Sequence, residues 1–367
     1  MFKKITGTFL VAGMAFTAMA QDTDSTKALT ISGSLDAYYR YNPAKGSGYT
    51  GDGSYNSFTS FTRANNAFEL GMASLRADAT AFSGKVGATV DLGYGHRAEE
   101  FSYNDYGNNT LQFIKQAYIT YAPSSAVKFT IGKFGTHVGY ELLDAPLNRN
   151  YSMSYMFTNG PFFHTGAKAD FTLGKLGLMI GVAGPVDRTT TSSGVKSLLA
   201  QVSSTTSDKI KLYLNYWGYF GNESESTDVS FDGAQSVNQL DLVATGIITD
   251  KFNIGFNGTL QSRKKVYEVG KSAEGKTWYG AAVYLNVDPT PNLGITLRNE
   301  FISDKDAFFY GTKNIFESTL SLNAKVGPLT FIPELRIDSA KDGLFIKNDG
   351  NSSKSTFSAL LAAVYKF

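Results

Sequence analysis

The sequence predicts an all-β fold, a transmembrane antiparallel up-and-down β-barrel of about 16 strands, and three observations predict it. The segment KSTFSALLAAVYKF at 354–367 is apolar at every second position from Phe357 to Phe367, with Thr356, Ser358 and Lys366 on the other parity. A period of two belongs to a strand with one oily and one wetter face. Its oily face has aromatic rings at both ends and small aliphatics between, the layering that a bilayer imposes on a crossing strand. The second observation is a plan that recurs along the chain, in which short turns and long polar connections alternate between apolar-alternating segments. The third is that no apolar run after residue 20 reaches the roughly 18 residues that a spanning helix needs.

Residues 1–20 read as a secretory signal peptide: Lys3 and Lys4, an apolar run from Phe9 to Met19, and the small-residue site Ala18-Met19-Ala20. Residues 21–28 are a short polar segment, and 29–367 form the expected barrel. In the first strand Leu29, Ile31, Gly33, Leu35, Ala37, Tyr39 and Tyr41 share one face, opposite Asp36, Tyr38 and Arg40. A long polar connection, 42–66, follows. Strands are then expected at 67–80, 85–96, 111–122, 126–135, 162–173, 176–186, 196–205 and 209–220. The remainder lie at 237–248, 251–263, 277–287, 292–303, 313–325, 329–339 and 354–367. Connections after even strands are turns such as Phe82-Ser83-Gly84; those after odd strands are long, the third running over 136–160. Short turns on one side and long loops on the other are the habit of outer-membrane barrels. Aromatic residues on the oily parity cluster at strand ends: Tyr39, Tyr94, Phe163, Phe301 and Phe316 toward the long loops, Tyr121, Phe129, Phe331 and Phe367 toward the short turns. A secreted β-sandwich also has alternating strands but does not predict those two belts.

The second strand is a misfit, because Leu70 and Met72 share one parity while Leu75, Ala77 and Ala79 share the other. A bulge near Ala73, or a shifted boundary, reconciles them. The strands at 111–122, 196–205 and 237–248 are less regular, which leaves counts of fourteen or eighteen open.

Composition narrows the chemistry. The chain has no cysteine, so disulfides, thiolate metal sites and cysteine nucleophiles are excluded, and its net charge of +2 gives no argument for nucleic acid. No cofactor is expected. A barrel of this size is wide enough to hold water, so function is expected on inward side chains and on any loop folded inside. The inward parity carries Arg40, Arg76, Lys168, Lys211, Arg298 and Arg336 against Asp36, Asp78, Asp91, Asp170, Asp241, Glu300, Glu317, Glu334 and Asp338. Facing charges of opposite sign either set a field across a bore or simply solubilise its wall. The third connection combines Glu141, Asp144 and Arg149 with several aromatic and leucine side chains. An apolar content of that kind suits a loop folded against the inner wall as a constriction; the alternative is an external cap. His96, His137 and His164 have no metal-ligand spacing.

Two runs carry a family resemblance: FELGMASLRADATAFSGKVGATVDLGYGHRAEEFSYND, and IKQAYITYAPSSAVKFTIGKFGTHVGYELLDAPLNRNYSMSYMFTNGPFFHTGAKAD. They resemble the bacterial outer-membrane family called β-barrel porin-2 (OmpL-like), over the stretch from Leu29 to Phe367 and most strongly before Thr189. The resemblance implies an outer-membrane barrel and, loosely, channel activity, with no catalytic or ligand motif to carry over. The expectation is therefore a porin passing small hydrophilic solutes by passive diffusion. Outer-membrane lipid would surround it, the barrel assembly machinery would read its C-terminal strand, and a homotrimer is one assembly open to it. A surface-exposed structural or adhesive barrel and an outer-membrane enzyme are the alternatives.

Overall fold

The computed structural model describes residues 27–44, 56–105, 110–191, 194–220, 234–266, 274–306 and 309–367. The expected signal peptide and most of the polar segment after it lie outside the described residues, as does part of the 42–66 connection.

Among the described residues, 16 strands close into one antiparallel barrel in which every strand pairs with its neighbours in sequence and the last pairs with the first. The first half runs β1 (Ala28–Tyr41), β2 (Ala67–Ala81), β3 (Val86–Tyr94), β4 (Ile114–Ser124), β5 (Val127–Gly135), β6 (Phe163–Leu173), β7 (Leu176–Ala183) and β8 (Ser197–Ser207). The second half begins with β9 (Ile210–Phe220), β10 (Ala234–Thr249), β11 (Phe252–Val266) and β12 (Glu274–Thr290). It continues with β13 (Leu293–Asp304), β14 (Asn314–Val326), β15 (Leu329–Ala340) and β18 (Ser355–Lys366). A two-residue hairpin, β16 (Phe345–Ile346) with β17 (Ser352–Ser353), stands in the last long loop. Closure is made by β18 against β1, with Leu35 opposite Tyr365 and Tyr39 opposite Leu361. The amides of Gly33 and Phe367 donate to each other's carbonyls at 3.1 and 3.0 Å, so the seam is hydrogen-bonded to the final residue. A closed ladder leaves no strand edge bare in hydrocarbon, where an unpaired backbone group costs several kcal/mol.

The alternation read from the sequence is the wall's two faces. Leu29, Ile31, Leu35, Leu242, Leu260, Leu320, Leu335 and Leu361 stand exposed on the outer surface, whereas Asp36, Arg40, Asp241, Glu317 and Arg336 are buried on the inner one. Tyr94, Tyr279, Phe301 and Phe316 are exposed toward the long-loop end, and Tyr121, Phe129, Phe331 and Phe367 toward the short-turn end.

Four departures have local causes. The β2 bulge falls at Gly71, two residues before the expected place: Met72 pairs with Asp36, Leu70 with Ala37, and Gly71 has no opposite residue. Phe68, Leu70 and Leu75 therefore all face outward while Met72 is fully buried. Parity misassigned Met72 because an apolar side chain was read as lipid-facing. In β4 the register shifts between Asp91 and Leu92, which leaves Lys115 unopposed and aims it inward. In β8 and β10 the weak alternation has another origin: Leu199 and Val237 are inward residues that are apolar, packed with Met179, Trp217 and Tyr219 in a cluster inside the wall. Phe163, expected in the outer aromatic belt, is instead wholly buried, 5.2 Å from the Phe101 ring and 3.8 Å from Lys133 Nζ.

Candidate functional site

The long connection between β5 and β6 enters the barrel and crosses it lengthwise. Near its start the amides of Gly139 and Tyr140 donate to Asp241 Oδ1 and Asn257 Oδ1 at 3.0 and 3.3 Å, which docks the chain on β10 and β11. Its far bend reaches the short-turn end, where Arg149 holds Asp288 with both terminal nitrogens (3.2 and 2.6 Å) and Thr296 through Nε (2.8 Å). On the way back Tyr151 N donates to Glu334 Oε2 at 2.9 Å. Tyr155 N and Met156 N both donate to the Glu300 carboxylate at 2.7 Å. Those amides begin the short helix α2 (Tyr155–Asn159), whose N-cap Ser154 accepts from Phe157 N. A carboxylate and a serine thus satisfy donors that the turn itself leaves open.

The wall is shaped to receive this loop. A Cβ on Gly71 would collide with Asp36 and with the Tyr151 hydroxyl, so the bulge glycine permits the Tyr151 Oη to Asp36 Oδ2 hydrogen bond of 2.5 Å. On the inner faces of β11 and β12, Gly255 and Gly280 are the recesses into which the Tyr140 ring and the Met156 side chain fit.

Two arginines anchor the docked segment. Arg298 is fully buried and donates to Glu141 Oε1 (2.6 Å), Glu317 Oε2 (3.0 Å) and the Ser152 carbonyl (2.7 Å). Arg336 pairs with Asp338 at 2.8 Å, donates to the Met153 carbonyl at 2.8 Å and lies over the Tyr155 ring at 5.3 Å. Arg97, from helix α1 (His96–Phe101), is sandwiched between the Phe61 and Tyr151 rings at 4.9 and 4.8 Å. Burial pushes the Tyr151 and Tyr155 hydroxyls well above the usual phenol range, so both serve as neutral hydrogen-bonding groups.

The expected inward residues therefore divide into two sets. Asp36, Arg40, Asp91, Asp241, Arg298, Glu300, Glu317, Glu334, Arg336 and Asp338 are all buried. They face the third loop, the folded segment around 56–62 or neighbouring wall residues rather than open water; Arg40, for instance, donates to the Asn56 carbonyl at 2.9 Å. The second set stays partly open. Arg76 and Asp78 pair at 2.7 Å with side chains 32% and 35% exposed, and Lys168 and Asp170 at 3.4 Å with 22% and 31%. Lys211 is exposed near the short-turn end of β9. Within the loop, Glu141 meets Arg298, Asp144 meets Lys115 at 2.5 Å, and Arg149 meets Asp288.

Beside the loop, a cavity of about 350 Å³ is lined by Asp78, Thr89, Gln116, Tyr118, Lys128 and Lys168 among others. A second, of about 470 Å³, opens under the loop's far bend beside Arg149, Asn323, Lys325 and Lys366. At the long-loop end, Arg63, Glu100, Asn159, Arg263 and Phe309 border a vestibule of about 440 Å³. Lys115, Lys128, Lys325 and Lys366 are absent from the inward set read from the sequence. Lys128 was legible by its parity with Thr130; Lys115 was hidden by the β4 bulge. Arg97 had no sequence signal, since its role depends on which way α1 turns.

The histidines are dispersed in role. His96 bonds Glu100 at 3.1 Å, and His137 Nε2 lies 2.9 Å from the Tyr216 carbonyl. His164 is buried with its ring 5.8 Å from that of His137, and burial brings the His137 imidazole down to about 4. Among the described residues no group of three or more His, Cys, Asp or Glu side chains could hold a metal ion.

Comparison with known proteins decides the family. Residues 28–367 match a sequence family described as "Putative beta-barrel porin-2, OmpL-like". The chain belongs to that family. Solved structures share the fold. The outer-membrane channel DcaP of Acinetobacter baumannii superposes with a TM-score of 0.63 at 14% identity, over 93% of this chain and 97% of its own. The trimer form of OmpT from Vibrio cholerae gives 0.57 at 12% identity, over 93% and 99%. An anion-selective porin from Comamonas acidovorans gives 0.58 at 10% identity, over 93% and 100%. No curated protein matches the chain. This porin is a bacterial outer-membrane β-barrel, and its family and structural neighbours are channels rather than enzymes.

Proposed function

We propose that this porin lets small hydrophilic solutes diffuse passively along the bore left beside its third loop. The observation that carries the reading is the division of the inner wall: one side is covered by a loop bonded to it from end to end, and the other keeps charged side chains in contact with a cavity. Glu141, Asp144 and Arg149 set the loop's position, and through it the width of the passage. Buried carboxylates that accept loop amides fix it in one place, as a constriction with a sharp size limit requires. No energy-coupling part is needed for transport of this kind, and no catalytic step is invoked.

The surrounding partners follow from the outer face. Its leucine and aromatic side chains suit outer-membrane lipid, and the final aromatic-ended strand suits the barrel assembly machinery. A homotrimer is the proposed assembly, because OmpT, one of the structural neighbours, is known in a trimer form.

Removing residues 141–150 tests the constriction. The shortened protein is expected to fold and to show a larger single-channel conductance and a higher solute size limit. Unchanged conductance and solute exclusion would place the loop outside the conducting path.

A further inference from the structure

Charge counted along the sequence and charge offered to a solute differ in sign here. The inward set read from the sequence holds nine acids against six bases, an excess that on its own favours cations. Seven of the nine acids, Asp36, Asp91, Asp241, Glu300, Glu317, Glu334 and Asp338, are buried. Apart from Asp36 Oδ1, which is buried without a hydrogen-bond partner among the described residues, their oxygens are engaged by protein groups. Glu300 takes two loop amides, Asp241 takes the Gly139 amide with Asn215 and Asn257, and Glu317 takes Arg298. A permeating cation exchanges water for carboxylate oxygens only where it can reach them, and these are out of reach.

The residues still in contact with water are mostly basic. Arg76, Lys168 and Lys211 remain partly open or exposed, against Asp78 and Asp170. Lys128 adds to them: it is exposed, lines the cavity beside the loop, and forms no ion pair among the described residues. At the short-turn mouth Lys325 and Lys366 line the second cavity. The two open acids of that inward set, Asp78 and Asp170, are each paired to a base two residues away; Asp170 also stands opposite Lys128, so the four bases Arg76, Lys128, Lys168 and Lys211 face two acids.

We propose that this porin is selective for anionic solutes, with Arg76, Lys128, Lys168 and Lys211 as the residues that set the preference. The inference rests on the passive-diffusion reading above and adds the class of solute to it. The mechanism is electrostatic: uncompensated positive charge on a low-dielectric wall raises the local concentration of small anions and lowers that of cations. Screening limits its reach to about 8–10 Å at physiological salt and about 3 Å at 1 M, so the preference is greatest in dilute salt.

The zero-current potential of the folded full-length protein in a planar bilayer, under a tenfold potassium chloride gradient, tests this. The expected result is a potential of the sign set by chloride, corresponding to chloride at least about twice as permeant as potassium and approaching equality at 1 M. Combined Lys128→Glu, Lys168→Glu and Lys211→Glu substitution is expected to reverse the sign. Lys128→Glu alone, at an exposed position without an ion-pair partner, is expected to move it toward potassium and guards against misfolding of the triple variant. Open channels that favour potassium or neither ion, or a sign unmoved by these changes, would overturn anion selectivity while leaving diffusion intact. Folded protein that inserts yet never conducts would refute the diffusion reading itself, and the selectivity with it.

Discussion

Arg298 shows how one side chain ties wall to loop. Its guanidinium joins Glu317 on the neighbouring strand to Glu141 and the Ser152 carbonyl on the loop, all away from water. Removing one member of such a buried set strands the charges that remain, which typically costs about 3–5 kcal/mol. Arg298→Ala is therefore expected to lower the denaturant midpoint of the detergent-folded barrel and to make the loop cleavable by protease; an unchanged midpoint would mean the network is not what holds the loop. His96 carries a pH dependence. Its hydrogen bond to Glu100, opposed by burial, keeps the imidazole above its ordinary value. A raised value in the folded state means the stabilisation is complete below about pH 6.5 and is lost as pH rises through the folded value. Glu100 also accepts from Phe61 N at 2.5 Å and forms an ion pair with Arg63, whose Nε lies 2.9 Å away, so the contact between α1 and the 56–63 segment depends on it. Hydrogen-exchange protection of the Phe61 amide should fall as pH rises above about 6.5, whereas protection that is flat or rising would contradict this sign.

At the scale of elements, strands were the legible part. Period two is a local property, so β1, β11, β13 and β18 could be placed within a residue or a few of their ends from alternation alone. What alternation could not carry was any residue whose surroundings come from elsewhere in the chain. Met72 and Leu199 are apolar yet face inward, because loops and neighbouring side chains give the outer half of the lumen an apolar interior. The third loop was recognisable from its aromatic content, but its path to Asp288 was not, since that contact joins residues 139 positions apart. The inner-wall acids were likewise readable as inward, and their burial was not. The outer face allows a direct check: Leu335 stands 51% exposed in the middle of β15. Leu335→Arg should destabilise the folded barrel by about 2–4 kcal/mol in a lipid bilayer, the cost of a cation facing hydrocarbon near the midplane. A neutral result would mean that this face meets protein or water instead.

Across the whole molecule, three facts support one another: the ladder is closed, its outside is oily, and its inside is divided between a docked loop and a cavity lined by charged side chains. Closure makes the fold possible in lipid, the docked loop makes the interior narrow, and the proposed diffusion runs through the cavity that the loop leaves beside it. The most direct test of that combination is single-channel recording of the purified, folded protein in a planar lipid bilayer. Stable, stepwise openings whose conductance grows with salt concentration are the predicted result. Protein that is verifiably folded and inserted, but passes no current at any salt concentration, would contradict it.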